Sequence, residues 1–394
     1  MPHPGPEAST VYLVGVAGNP NLGDELIVAA WLRYLADHLP DADVWLDTPY
    51  PGPASALLAG IHPRLHVTDT LFRLRDRAVE DGVDAADAAG IGAYMTRALA
   101  DPGNTPWWTS GIDLVRGADV VHLVGGGYAN DLWPHNLALL DALAWLAQHT
   151  PARVGATGLG LLPLGEASAA RVADAAQHFA VLDVRDTGTA RALLGGARPT
   201  LPLRLTSDDL FVQAADDFLD AEGGAAFDVG VVVQHDLRSM DWPDLLAFVR
   251  AQVTAWDVDP SRVAVIECIP RLDATVYDDL SAHWPGLQLR SFHEVWRDGF
   301  PAAAHQRWIS TRFHPHLLAA GAGARGVAIS VRGDYYDAKH GLVLAAGSRW
   351  ELLSDLRAPV ASDLAYGNLR ERWPALRARK RETAAILYGP PRRP

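Results

Sequence analysis

Short apolar runs, each closed by a turn rich in glycine or charge, alternate along this chain with amphipathic stretches of helical period. The opening unit carries the whole pattern. Val11-Tyr12-Leu13-Val14-Gly15-Val16 reads as a strand buried on both faces. A glycine-rich turn, Gly18-Asn19-Pro20-Asn21-Leu22-Gly23-Asp24-Glu25, leads into an amphipathic helix from Leu26 to Leu39. Val44-Trp45-Leu46-Asp47 then supplies a second strand. Strand, helix and strand in that order make a βαβ unit, which implies a parallel sheet.

The rhythm continues through the first half. Helices are predicted over Asp69 to Glu80, Ala85 to Ala100, the stretch ending at Gln148, and Ala167 to Ala180. Strands are predicted at Val120 to Val124, Arg153 to Thr157 and Val181 to Val184. The pattern breaks between residues 195 and 227, where Phe218 to Ala225 reads as an exposed linker. It restarts with strands at Val229 to Val233, Val263 to Cys268, Leu287 to Arg290, Trp308 to Thr311 and Gly326 to Val331. The expected architecture is therefore α/β, with two Rossmann-like domains of mostly parallel sheet facing a cleft. The expected boundaries are a tail at residues 1–10, a first domain at 11–215, a linker at 216–227, a second domain at 228–360, and a C-terminal helix and tail at 361–394. The helix, predicted over Leu364 to Tyr388, is expected to cross back to the first domain.

Composition excludes several classes. The chain has 394 residues, of which 49% are hydrophobic and 21% charged, enough for two sizeable cores. Its formal net charge of −13 repels nucleic acid and anionic lipid. An anionic ligand would need a local basic pocket in an acidic protein. Cys268 is the only cysteine, which rules out a disulfide framework or a cysteine-based zinc site. No apolar run reaches the length of a membrane span, and the first residues lack the pattern of a secretory signal. A cytoplasmic protein is expected. Its positive charge is almost all arginine, for Lys339 and Lys380 are the only lysines.

Strand ends are where ligands bind in open α/β sheets. At one of them stands Thr311-Arg312-Phe313-His314-Pro315-His316, between a predicted strand and a helix expected from Leu317. An arginine fork suits carboxylate or phosphate, and imidazole moves protons near neutral pH. Arg185 ends another strand; it is either a second anion ligand or an ion-pair partner of Asp183 or Asp186. Gly125-Gly126-Gly127 after a strong strand requires close backbone approach to a ligand or to another loop. Asp131 and His135 follow it, and Gly158 and Gly160 end the next strand. Asn21 and Gly23 lie in the first turn. Asp24 and Glu25 sit where they serve either chemistry or the helix dipole. Asp47 ends the second strand where a dinucleotide-binding domain would hold a ribose, although the glycine spacing is not that of a dinucleotide or P-loop fingerprint. Trp107-Trp108 is an indole pair that either stacks on a sugar or joins the core. No cluster has metal-ligand spacing, so no metal is expected.

In this order the pieces resemble the polysaccharide pyruvyl transferase family over about residues 11 to 345. The matching pieces are Asn21-Leu22-Gly23-Asp24-Glu25, Gly125-Gly126-Gly127 with Asp131, Gly158-Leu159-Gly160-Leu161-Leu162-Pro163, Val184-Arg185-Asp186, Asp208, Arg312-Phe313-His314 and the Tyr336 to Lys339 segment. The sequence departs from the family pattern at Phe313, where leucine is usual, at His316, and at Tyr128-Ala129-Asn130. The resemblance implies a GT-B-like pair of domains. It also implies transfer of the enolpyruvyl group of phosphoenolpyruvate onto two hydroxyls of a saccharide in a cell-surface polysaccharide or glycolipid precursor, giving a pyruvate ketal and phosphate.

That resemblance places donor binding at Arg312, Phe313, Arg185 and Lys339, with the acceptor and its loops at Asn21, Gly23, Gly125, Gly126, Gly127, Asp131, His135, Gly158 and Gly160. Catalytic roles fall to His314 for phosphate binding or proton transfer, and to Asp24 or Glu25 as base. Phosphoenolpyruvate is a co-substrate and no cofactor is expected. The partners expected are phosphoenolpyruvate and a saccharide. A lipid-linked acceptor would hold the protein at the inner membrane face. The same two-domain layout also suits a glycosyltransferase using a nucleotide sugar, or a non-catalytic sugar-binding protein.

Overall fold

The computed structural model describes residues 9–195 and 201–389. The predicted tail of residues 1–10 lies outside them as far as residue 8, and the predicted C-terminal segment lies outside them beyond residue 389. Thr10 already belongs to a strand. By packing, the chain divides into two units. The first takes the chain through Asn19, then Asp24–Val212 and the chain from Ala378 onward. The second takes Pro20–Gly23 and Gln213–Arg377.

The first unit is built on β1 (Thr10–Val14), β2 (Asp43–Asp47), β3 (Leu65–Thr68), β4 (Val120–Leu123), β5 (Arg153–Leu159), β6 (Val181–Val184) and β7 (Leu203–Leu205), in the order β3-β2-β1-β4-β5-β6-β7. All neighbours are parallel. Val11–Val14 pair with Val44–Asp47 on one side and Val120–Leu123 on the other. β4 and β6 are buried along their whole length, which is why they read as apolar runs broken only by His122 and Asp183. Trp31 and Tyr34, from the helix Leu22–His38, are fully buried in this unit.

The second unit repeats the plan with β8 (Val229–Val232), β9 (Val263–Ile266), β10 (Gln288–Arg290), β11 (Arg307–Ser310), β12 (Arg325–Ile329) and β13 (Glu351–Leu353), in the order β10-β9-β8-β11-β12-β13, again all parallel. Both orders reverse direction once, between β1 and β4 and between β8 and β11. Those reversals are the switch points beyond which doubly wound sheets leave a crevice at the carboxyl edge. The expected pair of parallel-sheet α/β domains is what the chain forms.

Several boundaries differ from the sequence reading. The first helix starts at Leu22, not Leu26, so Gly23, Asp24 and Glu25 form its first turn, where acidic residues complement the dipole. The helix after β11 starts at Phe313, not Leu317. Pro315 sits in its first turn, where the missing N–H has no helical partner to lose. The C-terminal helix runs Leu369–Tyr388 rather than from Leu364, and includes Pro374. β3, β7 and β13 were not read from the sequence. They are edge strands, only partly buried, and their apolar signal is correspondingly weak. The stretch 216–227 is not a plain exposed linker. It contains short helical turns at Ala215–Phe218 and Ala221–Gly224, with Phe218 and Phe227 buried.

Candidate functional site

In the second unit the switch point is held by Arg312, the residue capping the helix Phe313–Gly321 immediately after β11. Its guanidinium is buried and grips Asp273. Nε lies 2.9 Å from both carboxylate oxygens and Nη2 lies 2.6 Å from Oδ1. Nη2 also donates to Oδ1 of Asp236, 2.9 Å away in the loop leaving β8. Asp273 is fully buried and in turn accepts the backbone N–H groups of Cys268 and Ile269 after β9. One arginine therefore ties together the ends of β8, β9 and β11. Burial works against the guanidinium's charge, but the Asp273 carboxylate outweighs it and raises its pKa above the ordinary value. Nη1 takes part in none of these bonds.

Phe313 is buried and sets its ring edge-on to His314, with centroids 4.7 Å apart. His314 is the one member of the Arg-Phe-His triplet that is only partly buried. The other face of its imidazole is met by Gly23. A Cβ there would overlap the ring, so this glycine is required by close approach to a side chain of the protein itself. The Asn21–Gly23 segment is pinned beside it by Leu22, whose N–H donates to the carbonyl of Cys268 at 2.9 Å. Tyr336, in the helix Gly333–Ala346, accepts from Gln234 Nε2 at 2.8 Å. Lys339 lies one turn on, its ammonium 3.7 Å from the Tyr335 ring centroid. The extra histidine has a structural explanation. His316 is buried, facing His340 Nδ1 at 3.1 Å and Ser348 Oγ at 2.8 Å, under the Trp350 ring. Burial pushes both imidazoles down, His340 to about 4, and they sit in the core as neutral groups.

In the first unit the acidic pair splits. Asp24 is partly exposed, whereas Glu25 is fully buried with Oε1 accepting the Gly18 N–H at 2.7 Å. Burial raises the Glu25 carboxyl to about 8; the Gly18 amide opposes this and neighbouring Asp24 adds to it. Glu25 is thus mostly protonated at neutral pH and braces the turn before its helix, and Asp24 is the member of the pair that reaches solvent. Asp47 also faces inward, bound by Tyr12 OH at 2.5 Å and Leu71 N–H at 2.6 Å, so it cannot hold a ribose. That removes the main sequence support for a nucleotide in this unit.

The glycine turns meet the protein's own side chains. Gly125 donates its N–H to Asp209 Oδ2 at 2.8 Å. A Cβ on Gly160 would overlap the Arg185 guanidinium, which lies buried across it at the end of β6. Arg185 is paired with Asp208, Nη1 to Oδ2 at 3.4 Å, rather than with the expected Asp183 or Asp186. Asp186 instead caps the helix Thr187–Leu194 through the Thr189 N–H. Asp131 is exposed and fastens the next loop, accepting Gly165 N–H and Ser168 Oγ. His135 is half-buried, and burial followed by the charge of Arg75 lowers its pKa. Tyr128 and Asn130, which depart from the family pattern, hold the triple-glycine turn by donating to the carbonyls of Val124 and Gly127. Trp107 is 77% exposed in a single 3-10 turn, while Trp108 is packed beneath Arg73.

Three charged residues at these strand ends were not read as site residues: Asp236, Asp273 and Lys380. Asp236 follows β8 as Arg185 follows β6, so the strand itself marks its position. Lys380 carried a compositional signal, as one of two lysines in an arginine-rich chain. Asp273 had none, for its role depends on the loop that folds it back to β9. Among the described residues no group of three or more His, Cys, Asp or Glu could hold a metal ion. No helix among them is long and apolar enough to cross a membrane.

The fold is similar to that of several solved sugar-nucleotide and sugar-phosphate enzymes. Sucrose-phosphate synthase from Thermosynechococcus elongatus superposes with a TM-score of 0.53 at 11% identity, over 96% of this chain and 98% of that one. UDP-GlcNAc 2-epimerase from Neisseria meningitidis, solved with UDP-GlcNAc bound, gives 0.51 at 10% identity, over 96% and 94%. A further UDP-N-acetylglucosamine 2-epimerase gives 0.52 at 11% identity, over 97% and 90%. At such identities the likeness shows the GT-B-like fold alone. No curated protein matches the chain significantly. The polysaccharide pyruvyl transferase family model matches residues 21–253, which begins in the Asn21–Glu25 turn and takes in the triple glycine, Arg185 and Asp208. That match covers more than half of the chain, and the chain belongs to the polysaccharide pyruvyl transferase family.

Proposed function

We propose that this protein transfers the enolpyruvyl group of phosphoenolpyruvate onto two hydroxyls of a saccharide, releasing phosphate and leaving a cyclic pyruvate ketal. The observation that carries the reading is the switch point of the second sheet. There a charged Arg312 is locked in place, and the partly buried His314 stands at the N-terminal turn of a helix, where backbone N–H groups favour an anion. Arg312 is already neutralised by Asp273 and Asp236, so it serves the donor through Nη1 and through its hold on the helix start. In the second unit the remaining attraction for phosphate and carboxylate falls to the helix N-terminus, to His314 and to Lys339, and we assign Arg185 of the first unit to the donor as well.

In this reaction C3 of phosphoenolpyruvate takes a proton and C2 becomes oxocarbenium-like. One acceptor oxygen bonds to C2, the C2–O bond to phosphate breaks, and a second hydroxyl of the same sugar replaces it to close the ketal. Each hydroxyl loses its proton; one proton's worth balances that delivered to C3 and the other leaves with phosphate. We assign His314 to phosphate binding or proton delivery. Asp24 is the candidate base for the acceptor, because it is partly exposed and Glu25 is not. The saccharide lies on a cell-surface polymer or glycolipid precursor, and a lipid-linked acceptor would bring the protein to the inner face of a membrane.

The experiment is phosphate release from phosphoenolpyruvate over a panel of lipid-linked and nucleotide-linked sugars, with the product weighed by mass spectrometry. A product carrying a pyruvate ketal supports the reading. Sugar transfer from a nucleotide donor, with no phosphate released from phosphoenolpyruvate, would replace it by a glycosyltransferase. Asp24→Asn should slow the chemical step with little change in the KM for phosphoenolpyruvate.

A further inference from the structure

A fully buried charge cluster of the first unit joins Asp183 and Asp209 to one residue, Lys380, that lies beyond the family match. Lys380, on the C-terminal helix, is fully buried. Its ammonium reaches Asp183 Oδ2 at 2.5 Å, Asp209 Oδ1 at 2.9 Å and the carbonyl of Ser207 at 2.8 Å. Three donors in one compact head satisfy three acceptors, a geometry arginine's planar fork does not reproduce. Burial by itself would favour the neutral amine, but the two carboxylates hold it charged.

Each of the three acceptors leads to the strand-end site. Asp183 lies two residues before Arg185 on β6, and its Oδ2 also accepts the N–H of Gly158. Ser207 is held at φ 72°, a left-handed backbone that serine adopts at a cost, and the next residue is Asp208, the partner of Arg185. Asp209 accepts three further donors on Oδ2: Gly125 N–H, Thr157 Oγ1 and Trp31 Nε1, each within 2.8 Å. His122 continues the chain, bonded to Thr157 Oγ1 at 2.8 Å and to Tyr388 OH at 2.6 Å on the same C-terminal helix. The ends of β4, β5 and β6 and the strained Ser207 turn are thus tied to one ammonium.

We propose that Lys380 is the positioning residue of the first unit's strand-end site, the group that sets the Arg185 guanidinium and the glycine turns at 125–127 and 158–160. The inference rests on the reading of Arg185 as a ligand of the anionic donor. Lys380 touches no substrate. It acts through Asp183 and the Ser207–Asp209 turn, and the packing of Gly160 against Arg185 transmits the register of one turn to the guanidinium.

The test uses the full chain. Lys380→Met leaves two carboxylates buried without their cation, so Lys380→Met with Asp183→Asn is made beside it to lower that charge. Both are checked for folding by circular dichroism and thermal melting. In the folded variant the KM for phosphoenolpyruvate should rise roughly tenfold or more while kcat changes little, as expected for a displaced binding group. In an Arg185→Ala background the same substitution should add less than about twofold, because two groups acting as one unit are not additive. Full multiplication in that background, or an unchanged KM in the folded variant, overturns the proposal and leaves Lys380 a stabilising residue only. Amide hydrogen exchange at Gly125 and Gly158 separates this claim from the functional one. If the wild-type protein releases no phosphate from phosphoenolpyruvate, the functional reading fails. The positioning claim then stands or falls on whether exchange at those two glycines rises by about tenfold in the variant or stays at the wild-type rate.

Discussion

Replacing Glu25 with glutamine separates two roles that the sequence left together. Glu25 is fully buried and its carboxyl is raised to about 8, against an ordinary 4.5. A carboxyl raised in the folded state contributes stability that is complete below the unfolded pKa and is lost as pH rises toward the folded one. At about pH 7.5 the unfolded carboxyl is ionised while the buried one mostly is not. From 4.5 to 7.5 each pH unit therefore costs about 1.4 kcal/mol of stability through this group. Glutamine does not titrate, and its carbonyl oxygen can keep the Gly18 N–H. The variant's advantage over wild type should grow by roughly 3 kcal/mol between about pH 5 and pH 7.5. Taking the difference between two pH values cancels the cost of burying the glutamine NH2, which is the same at both. Urea unfolding at the two pH values measures it, with the m-value checked for constancy. A pH-independent difference between variant and wild type would refute the raised carboxyl. Loss of turnover in a stable Glu25→Gln would restore Glu25 as a catalytic group.

Asp273→Ala leaves the buried Arg312 guanidinium with Asp236 alone, and should destabilise the protein by about 3 kcal/mol in denaturant titration; a loss under about 1 kcal/mol would show that the cluster is not structural. Gly23→Ala would ordinarily favour a helical first turn by up to about 1 kcal/mol. Here the added methyl collides with the His314 ring, so the variant should instead lose about 1–3 kcal/mol and most of its turnover with phosphoenolpyruvate. Burial pushes His122 and His340 to about 4 and lowers His316 as well, so all three rings should keep their neutral NMR shifts from about pH 7.5 to pH 5. A titration midpoint near the ordinary histidine value for any of the three would show that its ring is hydrated.

The two-sheet plan was readable because parallel strands buried on both faces leave largely apolar runs, and β1, β4, β6, β8 and β9 are of that kind. β3, β7 and β13 escaped because edge strands are half wet and short. The site residues were legible as positions, since strand ends can be found from strands. Their orientation was not. Asp24 and Glu25 are neighbours with the same chemistry, yet one is partly exposed and the other faces inward, because successive residues of a helix point about 100° apart.

The amino-acid order by itself determined the fold class, the strand ends on which chemistry could sit, and the family. Those depend on local periodicity and on motifs read within a few residues. Tertiary structure decided which side chain answers which. The glycines at 23 and 160 serve the His314 ring and the Arg185 guanidinium of this protein. Arg312 is bound by Asp273, and Lys380 sits beneath the first sheet's strand ends. The two charge pairings, Arg312 with Asp273 and Lys380 with Asp183, join residues 39 and 197 positions apart. A linear pattern carries no trace of them, because they are fixed only when the sheets order their strands and burial makes each buried charge find a partner.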